Sequence, residues 1–267
     1  MSDRKLLERE LVATAHAMAD AARAAILPHF RGQDLAADNK LSEGFDPVTE
    51  GDRAAERAMR AVLAERRPDD AILGEEYGAQ DGTSGLTWVI DPIDGTRAFI
   101  SGTPTWGTLI AVGGAGGPEF GIVDQPFIGE RFVGGFGLAE VAGPHGTHPL
   151  ATRATRELSH ASLFTTFPEV GSAAEGAAFH RLAKEVKFTR YGIDCYAYAL
   201  VAAGQVDLVV EAGLNAYDIQ GPMAVINAAG GIVTDWDGGP AQDGGRVIAA
   251  ANADIHAAAI PFLKGVQ

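Results

Sequence analysis

Apolar positions recur at helical spacing near the start of the chain: Leu7, Leu11, Ala15 and Met18 fall on one face, and Pro28 closes the run. A long amphipathic helix is predicted over residues 4–30. The polar stretch G-Q-D-L-A-A-D-N-K-L-S-E-G-F-D-P that follows reads as a loop. A second helix is predicted to start after Thr49 and run to Arg67, where Pro68 stops it. The runs A-I-L before Gly74 and L-T-W-V-I before Asp91 read as buried strands. From Thr105 to Phe136, W-G-T-L-I-A-V, F-G-I-V-D and R-F-V-G-G-F predict an antiparallel meander broken by glycines.

The pattern then changes to alternating strands and helices. Strands are predicted at A-S-L-F-T-T, K-F-T-R, D-L-V-V-E, G-I-V-T and R-V-I-A-A. Helices are predicted at Ala173–Lys184, Y-A-Y-A-L-V-A-A, P-M-A-V-I-N-A-A and the C-terminal end. This half reads as layered α/β. The change suggests two lobes, an α+β lobe over 1–150 with most of the candidate ligands and an α/β lobe over 151–267.

Composition adds limits. The 267 residues are 46% hydrophobic and 21% charged, as in a globular protein with a large core. No apolar run is long enough to span a bilayer, and the charged start M-S-D-R-K-L-L-E-R-E lacks the apolar stretch of a signal peptide. A single cysteine, Cys195, excludes an intrachain disulfide and fits a reducing cytoplasm. A net charge of −14 without a basic stripe argues against nucleic acid and anionic membranes as partners. It also disfavours a phosphate ligand, unless divalent cations held by clustered carboxylates invert the local field.

The segment W-V-I-D-P-I-D-G-T-R-A-F offers such carboxylates. A strand delivers Asp91, Pro92 sets a turn, Asp94 follows, and Gly95 permits a conformation other residues resist. Thr96 opens a helix whose amides would face the same spot. Two carboxylates at such a turn can bridge hard cations; a plain turn with an Asp or Thr helix cap is the competing reading. Glu75 in G-E-E-Y-G follows a strand, although paired glutamates also open helices or face water. In F-D-P-V-T-E-G-D, Thr49 and Asp52 read as a capping pair and Asp46 as functional. Glu211 ends a strand, and Asp218 precedes a helical run as either ligand or N-cap. Acidic residues at several strand ends suit a phosphoryl site with two metals about 4 Å apart.

In order and spacing, D-P-V-T-E-G-D, G-E-E-Y-G, D-P-I-D-G-T and Y-D-I-Q-G-P-M-A-V-I-N-A-A-G-G resemble the inositol monophosphatase family of lithium-sensitive, magnesium-dependent phosphatases, across nearly the whole chain. The resemblance implies a layered αβαβα sandwich, usually a homodimer, acting on a small phosphate monoester with two or three Mg2+ ions. It implies that Glu75, Asp91 and the Ile93 carbonyl hold a first metal and that Asp91, Asp94 and Asp218 hold a second. A third, weaker ion would touch Glu75. Thr96, supported by Asp46, would orient the nucleophilic water, and the Gly95 and Thr96 amides would bind phosphate.

The chain departs from the inositol-cleaving members, which typically read D-G-T-T-N-F. Here Arg97 follows Thr96, Asp194 stands where those members carry small residues, and their W-D-x-A-G is Y-D-I-Q-G. D-G-T-R-A-F-I-S-G, T-W-G-T-L-I and D-C-Y-A-Y resemble the histidinol-phosphate phosphatase branch, which serves histidine biosynthesis. An ammonium-bearing substrate needs a carboxylate, and Asp194 and Glu211 are the candidates. Asp194 reads equally as a helix N-cap, and Arg97 reads as a salt-bridge partner before a phosphate ligand. Two other readings stay open: an inositol, sugar or nucleotide phosphatase of the same superfamily, and an inactive metal-binding regulator on this scaffold. The complete acidic set argues against the last.

Overall fold

The computed structural model describes residues 3–32, 37–39 and 47–266. Two helices come first: α1 (Asp3–Ile26) and, after the short antiparallel pair β1 (Ala37–Asn39) and β2 (Pro47–Thr49), α2 (Glu50–Arg66). The pair lies in the stretch read as loop. Thr49 and Asp52 form the expected reciprocal cap: the Thr49 amide donates to Asp52 Oδ2 at 2.8 Å, and Gly51 donates to Thr49 Oγ1 at 3.1 Å.

An eight-stranded sheet follows, made of β3 (Ala71–Gly74), β4 (Gly78–Gln80), β5 (Thr87–Asp94), β6 (Gly107–Gly114), β7 (Gly117–Gln125), β8 (Glu130–Gly135), β9 (Leu138–Gly143) and β10 (Gly146–Pro149), with the short helix α3 (Thr96–Ile100) after β5. Its order is β10-β9-β8-β7-β6-β5-β3-β4. All neighbours are antiparallel except β3 and β5. The meander was legible in the sequence, but its outer strands β9 and β10 and the edge strand β4 were not.

The second half builds a five-stranded sheet, β12-β11-β13-β15-β14. Its elements are β11 (Ser162–Thr165), α4 (Ala173–Ala183), β12 (Phe188–Tyr191), α5 (Tyr196–Ala202), β13 (Leu208–Leu214), α6 (Ala216–Ala228), β14 (Ile232–Asp235), β15 (Gly245–Ala250) and α7 (Ala253–Leu263). Helix α6 starts well before P-M-A-V and carries Pro222 inside it. Asp218 therefore lies within the helix rather than ahead of it.

Strand alternation sorts the side chains into three cores. Ile90, Ile110 and Ile122 face α1 and α2, in a core with Met18, Met59 and Trp88. Leu109, Val123 and Phe132, on the opposite face, meet α5 and α6, and Val209 and Val247 of the second sheet close that layer. Leu208, Val210 and Ile248 turn outward to Phe179 and Leu182 of α4 and Ile255 and Leu263 of α7. The result is the expected αβαβα sandwich.

Helix α6 is shared between the sheets, and it lies close to the first. A Cβ on Gly121 would fall 2.5 Å from the Gly221 carbonyl oxygen, and one on Gly134 would fall 2.5 Å from Val225 Cα. The absence of side chains there lets α6 approach, and α6 carries Asp218. Gly121→Ala should therefore lower the unfolding free energy by an overpacking cost of about 1–3 kcal/mol, read as a lower urea midpoint. It should reduce activity too, by displacing Asp218. An unchanged midpoint would show that the helix has room the close approach does not leave.

Candidate active site

Strand β5 does not run straight to its end. Its register with β6 shifts between Asp91 and Asp94, so D-P-I-D bulges out of the ladder. Pro92 lacks the N–H a regular ladder needs, and its carbonyl accepts from Thr108 Oγ1 at 2.8 Å. Gly95 takes φ +87°, and a Cβ there would meet Asp194 Cγ at 2.9 Å. This glycine is required both by the turn and by the close approach of the second half of the chain.

The bulge and α6 bring three carboxylates together. Asp91, Asp94 and Asp218 each offer an oxygen, all within 4.8 Å of one another. Backbone amides hold them in place. Asp91 Oδ1 accepts from the Ile93 amide at 3.0 Å, Asp94 Oδ2 from the Cys195 amide at 2.8 Å, and Asp218 Oδ2 from the Asn215 amide at 2.6 Å. Asp218 is thus the third-residue partner of an Asn215 cap, not the N-cap itself. Glu75, just beyond β3, lines the same cavity, and its charge bears on both Asp91 and Asp218. It sits in a turn rather than opening a helix.

Glu56, which the sequence reading passed over, holds that turn. It is wholly buried in α2, is paired with Arg60 at 2.8 Å, and accepts from the amides of Glu76 and Tyr77 at 2.7 and 3.2 Å. Its signal was a charge on the apolar stripe of Ala55, Met59 and Leu63.

The cavity encloses about 310 Å³ and is lined also by Ile93, Gly95, Thr96, Arg97, Asp194 and Glu211. Thr96 Oγ1 donates to the Ile93 carbonyl at 3.2 Å. Arg97 is exposed at the mouth, its guanidinium 4.8 Å from the centre of the Phe167 ring. That cation–π contact was not anticipated from the sequence. Asp194 does not cap a helix. It adopts φ +48°, Cys195 takes the N-cap position of α5, and Asp194 Oδ2 accepts from Thr105 Oγ1 at 2.6 Å. Glu211 Oε1 accepts from both the amide and the hydroxyl of Thr166, at 2.9 and 2.7 Å. Asp46 lies outside the described residues.

Burial and mutual repulsion set the protonation of these groups. Burial, then the charges of Glu75, Asp94 and Asp218, push Asp91 well above the usual carboxylate range. Burial, then Asp218, Asp194 and Glu211, do the same to Asp94. Burial raises Asp218 to about 7, and it raises Glu211 to about 7. An all-oxygen, crowded set of this kind fits a hard divalent cation, which would replace the protons and favour the charged forms.

The profile of the inositol monophosphatase family matches residues 7–265. The chain belongs to the inositol monophosphatase family. It is 39% identical over 263 residues to the bifunctional phosphatase IMPL2, chloroplastic, of Arabidopsis thaliana, covering 94% of this chain and 74% of that protein. It is 36% identical to the histidinol-phosphatase of Streptomyces coelicolor, covering 94% and 95% of the two. Among solved structures, an inositol monophosphatase from Zymomonas mobilis aligns with a TM-score of 0.83 at 38% identity, over 96% of this chain and 98% of that one. The extragenic suppressor protein SuhB of Bartonella henselae aligns with a TM-score of 0.84 at 26% identity, over 98% and 100%. With its family, the protein is a phosphoric monoester hydrolase. Among the described residues, no helix is long and apolar enough to cross a membrane.

The pH dependence of stability follows. Folding raises Asp218 from 3.8 to about 7, so the folded chain keeps a proton that the unfolded chain has released. Without a cation, stability from this group is fully present below the unfolded pKa and is lost as pH rises through about 7. In EDTA, the melting temperature of the parent protein should fall relative to Asp218→Asn from about pH 5 to pH 8. Added divalent cation should reverse the fall. A difference between the two proteins that stays flat with pH would contradict the crowding argument.

Proposed function

We propose that the protein hydrolyses histidinol phosphate to histidinol and phosphate with magnesium as its cation. The observation that carries this reading is the second acidic pair in the cavity. Besides burial, the groups that act on Asp194 and Glu211 are threonine hydrogen bonds and, for Glu211, the charges of Asp194 and Asp218, with no Lys or Arg among them. Both carboxylates are instead held by threonines and line the cavity. A neutral polyol would desolvate them without supplying a charge partner. A substrate ammonium supplies one. The histidinol-phosphatase of Mycobacterium tuberculosis, 35% identical over 87% of this chain, supports the same reading.

Asp91, Asp94, Asp218, Glu75 and the Ile93 carbonyl would hold the metal. When bound, such ions lower the pKa of water and neutralise developing charge on phosphate oxygens. The chain's own groups do the rest. Because Thr96 Oγ1 spends its proton on the Ile93 carbonyl, its lone pairs are available to accept from the attacking water. Asp46 would accept that water's proton. The amides of Gly95 and Thr96 would orient the phosphate, and Arg97 would stand at the entrance.

Two measurements test this. Phosphate release from histidinol phosphate should require added magnesium and stop in excess EDTA, and Asp94→Asn should cost at least about 10–100-fold. Turnover that persists in EDTA would end the metal assignment. Asp194→Ala should lower the preference for histidinol phosphate over glycerol 2-phosphate by about ten- to a hundredfold, as loss of a charged hydrogen bond of about 1.5–3 kcal/mol implies. Equal losses on both esters would remove Asp194 from substrate choice.

A further inference from the structure

The motif D-C-Y-A-Y contains two tyrosines with opposite fates. Tyr196 donates its hydroxyl to Glu130 Oε2 at 2.5 Å. Tyr198, two positions on and so turned to another side of α5, is only 3% exposed, and its hydroxyl has no hydrogen-bond partner among the described residues. It nevertheless lines the catalytic cavity, and the charges of Glu211, Asp94 and Asp218 all reach it. Burial, then those carboxylates, push the phenol well above its ordinary range, so it stays protonated.

A buried hydroxyl without a partner destabilises the free protein, and phenylalanine would fill the same space without that cost. The missing partner is therefore sought in what enters the cavity. The carboxylates whose charges reach it lie beyond hydrogen-bond distance of the hydroxyl, so it is left without a partner among the described residues. Its lone pairs need a donor from outside. A primary ammonium carries three N–H donors, and two carboxylates satisfy two of them.

We propose that Tyr198 is a specificity-determining residue whose phenol oxygen, with the carboxylates of Asp194 and Glu211, forms a three-acceptor seat for a primary ammonium on the substrate. The inference rests on the reading that a cationic phosphate ester enters this cavity. It adds that a neutral oxygen, not a third carboxylate, completes the seat. A third negative charge beside Glu211 would add repulsion with no further N–H charge to balance it.

The test is Tyr198→Phe in the magnesium-loaded enzyme. It reads kcat/KM on histidinol phosphate and on the analogue carrying hydrogen in place of the amino group, together with the melting temperature of the metal-free protein. The preference for the aminated ester should fall about tenfold. The melting temperature should hold or rise, since the variant sheds an unsatisfied buried group. A preference equal to that of the parent enzyme would overturn the seat while leaving the substrate reading intact. A parent enzyme with no preference for the aminated ester would overturn both. A lowered melting temperature with equal losses on the two esters would assign Tyr198 a structural role instead.

Discussion

Three carboxylate oxygens within 4.8 Å of one another are the constraint on which this structure turns. Like charges at that range repel, and burial withdraws the water that would screen them. Left to local preference the side chains would swing apart. Each is prevented from doing so by a backbone amide: Ile93 for Asp91, Cys195 for Asp94, Asn215 for Asp218. One oxygen of each carboxylate is thereby fixed in place. The three amides come from the bulge at the end of β5, the N-cap of α5 and the N-cap of α6. The site therefore exists only when the two sheets and the helices between them are assembled.

This dependence explains what the chain revealed before its structure was known. Local signals were legible. Continuous apolar runs and strand-like runs broken by glycines marked β5 to β8, the helical stripe marked α1, and T-E-G-D marked the cap of α2. D-P-I-D-G-T revealed the turn, because proline and glycine restrict the backbone in ways the sequence records directly. Contacts between distant segments were not legible. Nothing in G-I-D-C-Y says that the Cys195 amide will clamp Asp94, or that Asp194 will lie against Gly95 and accept from Thr105. Strand β9, L-A-E-V-A-G, escaped notice because it is only partly buried and shows little apolar–polar alternation, and β10, G-T-H-P, because it is short, polar and exposed. Glu56 was a partial exception. A charge on the buried face of an amphipathic helix is a visible conflict, and its resolution at the Glu75 turn is the kind of compensation such a conflict announces.

The glycines of the first sheet extend the same logic. Gly121 and Gly134 look like weak points in a β meander, since glycine in a strand interior packs nothing and loses more entropy. Their neighbours across the layer are the backbone of α6, closer than any Cβ would permit. What is lost in strand propensity is recovered as proximity. Asp218 reaches Asp91 and Asp94 because its helix lies directly on the sheet that bears them.

A cavity with acid at both ends raises the question of how an anionic ester enters a protein of net charge −14. The two ends differ in how their charge is answered. At the triad, the crowded oxygens fit a divalent cation, and once it is bound the local field turns positive. At Asp194 and Glu211, burial raises both carboxyls, Glu211 to about 7, against the opposing threonine hydrogen bonds, so a cationic group on the substrate would favour their charged forms as the metal does at the triad. On the reading proposed above, the substrate carries the complementary pair of charges, phosphate at one end and ammonium at the other. Reversing it would set phosphate against two carboxylates and ammonium against the metal, and both contacts would be repulsive. A neutral alcohol ester lacks the second handle and is oriented by its phosphate alone. Selectivity would then arise from the polarity of the cavity as much as from any single contact.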